Sequence, residues 1–167
     1  MAVETERYGF MNQYPADVMR AGRRPLLQYP AEALQATMAN PRSCGVALRD
    51  RVSQKLVAYA LGSPLENHDE QGVRDDPHHG SGDVFYLQAV AISPRVQNQT
   101  EMQGRLFEAL RAQVRAAGFG HLSSLIEETV LFTGPDWVRG AAVLHTVENY
   151  LGSGIRFVYL QAPVGVS

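Results

Sequence analysis

The segment of residues 95–104 joins an apolar run to a helical pattern, and its composition suits the binding of an anion. The start of a helix presents unpaired backbone N–H groups and the positive end of the helix dipole, which together bind phosphate groups. Arg95 and Arg105 flank the segment and add positive charge. Thr100 and Gln103 have the spacing of a capping box, which predicts that the helix starts after Thr100. The same two residues would also cap a helix that binds nothing, so both interpretations stay open.

Residues 63–82 form a long polar stretch with many groups that can bind metal ions or carry protons. These groups belong to His68, Asp69, Glu70, Asp75, Asp76, His78 and His79. Imidazole and carboxylate groups suit divalent metal ions, but no recognisable ligand spacing is present, and we predict no metal site. The stretch exceeds the usual length of loops in compact domains. Because it has almost no apolar residues, we expect an insertion loop outside the core that borders a substrate mouth, where its acidic groups favour cationic amines.

Composition restricts the class of protein. The chain has 167 residues, which predicts one domain spanning residues 1–167. Its formal net charge is -2, without the basic excess of nucleic-acid-binding proteins, so we expect no nucleic-acid partner. Cys44 is the only cysteine, which excludes an internal disulfide, and we predict a small buried side chain there. The sequence has no signal-peptide pattern and no apolar stretch of about 20 residues, so we expect a cytoplasmic protein without a membrane partner.

Apolar periodicity and turn residues predict the elements that position these groups. The predicted elements are a helix at 29–38, a hairpin of strands at 44–49 and 56–61, a strand at 83–92, a helix at 100–117, a strand at 122–126, a helix at 136–151 and a strand at 155–160. Residues 1–28 are an irregular segment that contains a candidate first strand or strap. The apolar residues of the helix at 100–117 recur four apart, and Gly118 marks its end.

Three local motifs resemble the GNAT superfamily of acyl-CoA N-acyltransferases. Residues 89–94 look like the end of the family's central strand, where an apolar run meets a proline. Residues 104–110 resemble the helix that follows it. Residues 150–155 are similar to the family's Tyr-x-x-x-Gly-Phe signature, with Ile155 in place of the Phe. The resemblance covers roughly residues 29–162.

The resemblance implies an α/β (α+β) fold in which helices flank a mixed, mostly antiparallel central sheet. It also implies a splay between the fourth and fifth strands, in which the thioester of acetyl-CoA lies. The implied acetyl-CoA-binding residues lie on the central strand and at the next helix start: Val90, Ile92, Gln99, Thr100, Gly104 and Arg105. Thr100 and Met102 stand where the family usually has Gly, and Glu101 puts a negative charge near the bound anion.

The resemblance further implies transfer of an acetyl group from acetyl-CoA to an amine by direct attack. Tyr150 is then the candidate acid that protonates the leaving thiolate, although a Tyr that only packs a helix end explains it as well. Glu127 is the candidate base, and alternation along a strand allows only one of Glu127 and Glu128 to face the cleft. His121 and His145 are weaker candidates, since isolated histidines are usually structural or exposed.

The expected acceptor is a small-molecule or peptide amine, and homodimers are common in such folds. An alternative is a GNAT-like binding or sensor module that has lost catalysis, which the missing glycines and the lack of an acidic residue on the central strand favour. At the position of that strand where some members carry a glutamate, this chain has Tyr86. A third alternative is an unrelated α/β domain that binds metal through residues 63–82.

Overall fold

The computed structural model describes residues 31–93, 98–134, 136–152 and 154–165, and the candidate first strand lies outside them. These residues form six strands and four helices. The helices are α1 (Ala31–Ala39), α2 (Gln99–Ala116), α3 (Val130–Thr133) and α4 (Asp136–Arg139). The strands are β1 (Cys44–Arg49), β2 (Leu56–Pro64), β3 (Val84–Ile92), β4 (His121–Glu127), β5 (Ala142–Val147) and β6 (Phe157–Pro163). Single 3-10 turns span Leu65–Asn67 and Tyr150–Gly152.

All six strands belong to one sheet, in the order β1-β2-β3-β4-β6-β5. Neighbouring strands run antiparallel except β3 and β4, which are parallel. A parallel pair needs a long crossover, and α2 supplies it by crossing one face of the sheet. The predicted mixed, mostly antiparallel α/β (α+β) architecture is therefore confirmed.

Helix α2 packs on the sheet through the apolar stripe that its sequence predicts. Met102, Leu106, Leu110 and Val114 are all buried, in one core cluster with residues of β1, β2 and β3. Gly118 ends the helix with a φ of 87°, a left-handed conformation that glycine adopts without strain. The face of the sheet that α2 covers is called the α2 face below.

Strands β3 and β4 separate soon after they meet. They pair at only three positions, and Tyr86 opposite Ser123 is the last. One further contact follows, in which the Ser124 hydroxyl donates to the carbonyl oxygen of Leu87 at 3.1 Å. Beyond it, β3 pairs with β2 and β4 pairs with β6. A V-shaped cleft, the splay, therefore opens between β3 and β4, with its apex at Tyr86 and Ser123.

The helix predicted at 136–151 is wrong beyond Arg139, because residues 142–147 form strand β5. Ala141, Leu144 and Val147 are spaced three apart, which suggested a helix face. Tertiary context decides otherwise, since β5 pairs antiparallel with β6 along its length. The β-branched Thr146 and Val147 also favour an extended chain.

The prediction that residues 63–82 stay outside the core is also wrong. Residues 63 and 64 end β2, and residues 65–82, called the insertion segment, cover the face of the sheet opposite α2. Leu65 and Val73 are fully buried in a cluster with Val84 and Tyr86. Asp76 is buried too, because the Tyr159 hydroxyl and the Gln161 side chain donate to it at 2.7 and 3.1 Å. Long-range hydrogen bonds thus compensate for a low apolar content.

None of the described helices is long and apolar enough to cross a membrane. Within the described residues, no three or more His, Cys, Asp and Glu side chains form a group that could hold a metal ion.

Candidate functional site

A β-bulge in β3 lies directly beside the apex of the splay. Leu61 of β2 pairs with Ala89, but Gly62 pairs with Leu87, so Gln88 is an extra residue in β3. A bulge bends its strand and re-aims the backbone groups next to it. Here the bulge lies where β3 begins to border the splay.

Two contacts hold the bulge in place. Gly62 lies so close to β3 that a Cβ atom on it would stand 2.1 Å from the carbonyl oxygen of Tyr86. On the other side, the Thr37 hydroxyl of α1 donates to Oε1 of Gln88 at 2.5 Å. Glycine at 62 and the polar contact from α1 therefore fix the backbone of β3 at this point.

Beyond the bulge, the predicted acetyl-CoA-binding residues of β3 lie on the α2 face. Ile92 packs at the margin of the cluster formed with α2, and Val90 shares its face because side chains alternate along a strand. Val90 is 40% exposed, which is unusual for an apolar residue in an interior strand. The exposed Val90 borders the open part of the splay.

The start of α2 differs from the predicted capping box. The helix begins at Gln99, its N-cap is Asn98 in the left-handed region (φ 60°, ψ 49°), and Thr100 is an exposed residue of the first turn. The prediction of Thr100 as N-cap is therefore wrong. Asn98 tolerates this conformation better than most residues, and its carbonyl accepts the first helical hydrogen bond, from Met102 at 3.1 Å.

Two other predicted acetyl-CoA-binding residues lie one turn into α2. Gly104 is exposed, and a Cβ atom on it would meet nothing within 4 Å, so the helix surface there is open. Arg105 forms an ion pair with Glu101, with 2.7 Å between Nη2 and Oε1. This pair partly neutralises the positive charge that the sequence assigned to Arg105.

Trp137 of α4 packs against both α2 and β6. Its ring lies 4.9 Å from the ring of Phe107 in α2, and it also packs against the cluster of Val158 and Leu160 in β6. The indole Nε1 is buried and has no hydrogen-bond partner among the described residues. Sequence reasoning missed this donor because it placed Trp137 on the apolar side of a long helix.

Tyr150 and Glu127, the predicted catalytic pair, both lie on the face opposite α2. Tyr150 is buried in the turn between β5 and β6, and its ring packs 4.8 Å from that of Phe157. Glu127 is half-buried at the end of β4 and shares the face of Leu125, which belongs to the cluster of Tyr150. Its carboxylate accepts a hydrogen bond from the Thr129 hydroxyl at 2.7 Å. No observation tests their roles, which stay predictions.

The insertion segment adds polar groups to that same face, close to the apex. His68 is buried, with its ring 4.6 Å from the ring of Tyr86. The rings of Tyr86 and Tyr159 stack at 6.3 Å. Burial raises the pKa of the Tyr159 hydroxyl well above its usual range, and the hydrogen bond to Asp76 and the charge of Glu70 raise it further. This cluster was not predicted, because residues 63–82 were expected to form a loop outside the core.

Comparison with known proteins connects this geometry to a fold. An aminoglycoside 6'-acetyltransferase type Ii has a TM-score of 0.69 and 14% identity, with 100% of this chain and 99% of that chain covered. The ribosomal-protein-S18-alanine N-acetyltransferase from Escherichia coli has a TM-score of 0.65 and 14% identity, covering 99% and 95%. An aminoglycoside 6'-N-acetyltransferase complexed with coenzyme A has a TM-score of 0.66 and 13% identity, covering 100% and 99%. This chain adopts the GNAT fold.

The solved structures agree with the resemblance that the local motifs of residues 89–94, 104–110 and 150–155 indicate. No protein-family model matches the sequence, and no curated protein sequence matches it. The splay was predicted between the fourth and fifth strands. In the described residues it lies between the third and fourth strands, β3 and β4.

Proposed function

We propose that this protein transfers an acetyl group from acetyl-CoA to an amine. The observation that carries the proposal is the early end of the β3–β4 ladder at Tyr86 and Ser123. Two parallel neighbours that separate leave backbone N–H and C=O groups without partners, which is costly unless water or a ligand meets them. An extended thioester chain that lies in the splay would satisfy them as a third strand does.

The position of α2 supports the binding of a diphosphate at the open end of the splay. The N–H groups of its first turn have no partner inside the helix and attract an anion. We assign the diphosphate to Gln99, Thr100 and Gly104, with Arg105 beside them. Val90 and Ile92 then line the path of the thioester arm. Trp137 would donate its indole N–H to the same arm from the opposite side of the splay.

The proposed reaction proceeds by direct attack of the amine on the thioester, without a covalent enzyme intermediate. A carboxylate, predicted to be that of Glu127, takes a proton from the acceptor ammonium. The neutral nitrogen attacks the thioester carbonyl, and a β3 backbone N–H at the bulge stabilises the oxyanion, an effect of about 3 kcal/mol in other enzymes. The C–S bond then breaks, and the thiolate receives a proton, predicted to come from Tyr150. The amide nitrogen loses its remaining extra proton to solvent.

The acceptor is proposed to be a small-molecule or peptide amine. This class follows from the solved structures of the same fold, which include enzymes named for aminoglycosides and for the alanine of a ribosomal protein. We further propose a cytoplasmic location and a homodimer, both of which rest on the sequence and the resemblance.

A second candidate function is a binding module without catalysis. The ion pair of Arg105 with Glu101 favours it, because a partly neutralised arginine attracts a diphosphate less strongly. Thr100 and Met102, at positions where the family usually has Gly, favour it too, because a Cβ atom hinders close approach of a phosphate.

Thermal unfolding with and without acetyl-CoA tests the first proposal. A ligand that binds only the native state at 100 times its Kd stabilises by about 2.7 kcal/mol, so the melting temperature should rise by several degrees. No rise at millimolar acetyl-CoA would reject it. If binding is seen, release of free CoA in the presence of amines separates an enzyme from a binding module. Tyr150→Phe should then lower turnover and leave the thermal shift intact.

A further inference from the structure

Three polar side chains form a line beneath the apex of the splay. Oγ of Ser63 lies 2.8 Å from Nε2 of His68, and Nδ1 of His68 lies 3.3 Å from Oε1 of Glu70. The side chain of His68 is 3% exposed and that of Glu70 is 20% exposed. The imidazole is held on both sides, so it fixes the orientation of the Glu70 carboxylate.

The second oxygen of that carboxylate lacks a hydrogen-bond donor in the part of the chain that the structure describes. Oε2 of Glu70 is buried and has no hydrogen-bond partner among the described residues. A buried carboxylate oxygen without a donor is destabilising. A primary ammonium group carries a positive charge and three N–H donors, so it would satisfy this atom.

Direct contacts connect Glu70 to the apex of the splay. Nδ1 of His68 lies 3.3 Å from Oε1 of Glu70, and the ring of His68 contacts that of Tyr86, the last residue of β3 that pairs with β4. Glu70 belongs to the insertion segment, on the face opposite α2, whereas the diphosphate is assigned to the α2 side. An acceptor that reaches the apex from the face of the insertion segment would therefore approach Glu70.

Glu127 lies at the end of β4. It follows Ser123, the apex residue of β4, by roughly 13 Å along the strand at about 3.3 Å per residue. Glu127 also accepts the hydrogen bond from Thr129. Glu127 thus already has a donor, whereas Oε2 of Glu70 has none among the described residues, so Glu70 is the carboxylate that an incoming ammonium group would pair with.

We propose that Glu70, in place of Glu127, binds the ammonium group of a primary alkylamine and receives its proton before attack, with His68 as a positioning residue. The inference rests on the proposed acetyl transfer. The proton moves from nitrogen to Oε2, which leaves a neutral amine and a carboxylic acid, and the nitrogen lone pair then attacks the thioester carbon. The stacked rings of Tyr86 and Tyr159 border the site, and aromatic faces attract cations.

The test compares wild-type protein with Glu70→Gln, Glu70→Asp and Glu127→Gln. Asp75→Asn is the matched control, because Asp75 is an exposed carboxylate of the same segment. Spermidine, kanamycin and a peptide with an N-terminal alanine are the amine probes. For the acetylated amines, Glu70→Gln should lower kcat/KM at least 100-fold and abolish the acid limb of its pH profile. Glu70→Asp should recover part of the rate, and Asp75→Asn should match wild type.

Binding measurements separate this inference from the proposed function. Glu70→Gln should bind acetyl-CoA as wild type does, which also shows that the variant is folded. If wild type fails to bind acetyl-CoA, the proposed function and this inference both fail. If wild type transfers acetyl groups and Glu70→Gln does so at the same rate, or if Glu127→Gln alone abolishes the acid limb, only the inference fails. Where no probe is acetylated, the melting temperature with CoA and spermidine is the readout, and an equal shift in wild type and Glu70→Gln overturns it.

Discussion

Gly62 and Tyr86 approach each other so closely that a side chain on Gly62 would overlap the main chain of Tyr86. A Cβ atom would stand 2.1 Å from the Tyr86 carbonyl oxygen and 2.6 Å from Cε1 of Phe85. The contact joins β2 to the residue at which β3 leaves β4. The shape of the splay therefore depends on a glycine in the neighbouring strand.

Gly62→Ala should disturb the bulge and destabilise the protein. The carbonyl oxygen is backbone and cannot move aside as a flexible side chain would, so the strands must shift. Overpacking of this kind typically costs about 1–3 kcal/mol. Chemical denaturation measures the loss, and calorimetry with acetyl-CoA should show weaker binding. An alanine variant with wild-type stability would show that β2 and β3 adjust without strain.

Gly104→Ala should have the opposite effect on stability. Gly104 is exposed inside α2, where space is open around a new Cβ atom. Replacing a helical glycine by alanine stabilises a helix by roughly 0.5–1 kcal/mol. If Gly104 lies against the diphosphate, the same methyl group should weaken acetyl-CoA binding. A variant that gains stability and binds acetyl-CoA as wild type does would remove Gly104 from the site.

Trp137→Phe should weaken acetyl-CoA binding by about fivefold. The variant keeps an aromatic ring beside Phe107 and loses only the indole N–H and part of the ring. A hydrogen bond contributes about 1 kcal/mol, which corresponds to about a fivefold change in affinity. Calorimetry measures the change. Because Trp137 is the single tryptophan of the chain, its fluorescence should also change during an acetyl-CoA titration of wild type, and constant emission would contradict the assignment.

Stability should fall at acidic pH partly because of Asp83. Its carboxylate accepts hydrogen bonds from Nδ1 of His121 and from the backbone N–H of Gly120, both at 2.9 Å. These bonds, that from His121 first, lower the pKa of Asp83 below its usual 3.8. A lowered folded-state pKa stabilises the fold above the unfolded pKa, and this contribution disappears as pH falls through the folded pKa.

Asp83→Asn should therefore lower the melting temperature at pH 7 and have a much smaller effect at pH 3. Thermal unfolding across this range measures both values. Glu108→Gln, at an exposed site on α2, is the control and should change neither. A deficit for Asp83→Asn that stays constant with pH would show that the charge of Asp83 is not responsible.

The local sequence correctly predicted the elements that form because of their own residues. The stripe of Met102, Leu106, Leu110 and Val114 defines α2, and the continuous apolar run of β3 indicates a strand covered on both faces. Gly118 marks the end of the helix through its own conformation. These features need no information from distant parts of the chain, so a single sequence contains them.

Features that depend on distant contacts were not predictable. Strand β5 lies at the sheet edge with Val143 and Leu144 partly exposed, so it lacks the alternating burial that distinguishes a strand from a helix. The insertion segment is ordered by the contact of Asp76 with Tyr159, which is 83 residues away in the sequence. The one local sign of the bulge is Gly62, since a glycine inside an apolar strand often marks a close backbone approach.

The predicted site residues differ in the same way, because the positions of some depend on distant contacts and those of others do not. The strand that carries Val90 and Ile92 was predicted correctly, and both residues lie beside the splay. Tyr150 was assigned from the resemblance of residues 150–155 to a family signature, and it was expected at the end of a helix, whereas it lies in the turn between β5 and β6. Glu70 and Trp137 entered the site only through tertiary packing.

Within the part of the chain that the structure describes, the short β3–β4 ladder leaves two strand edges unpaired in the interior of the sheet. Exposed edges recruit strands from other molecules and promote aggregation. Without a thioester in the splay, the purified protein should therefore lose monodispersity during storage. Acetyl-CoA that fills the splay should slow this aggregation.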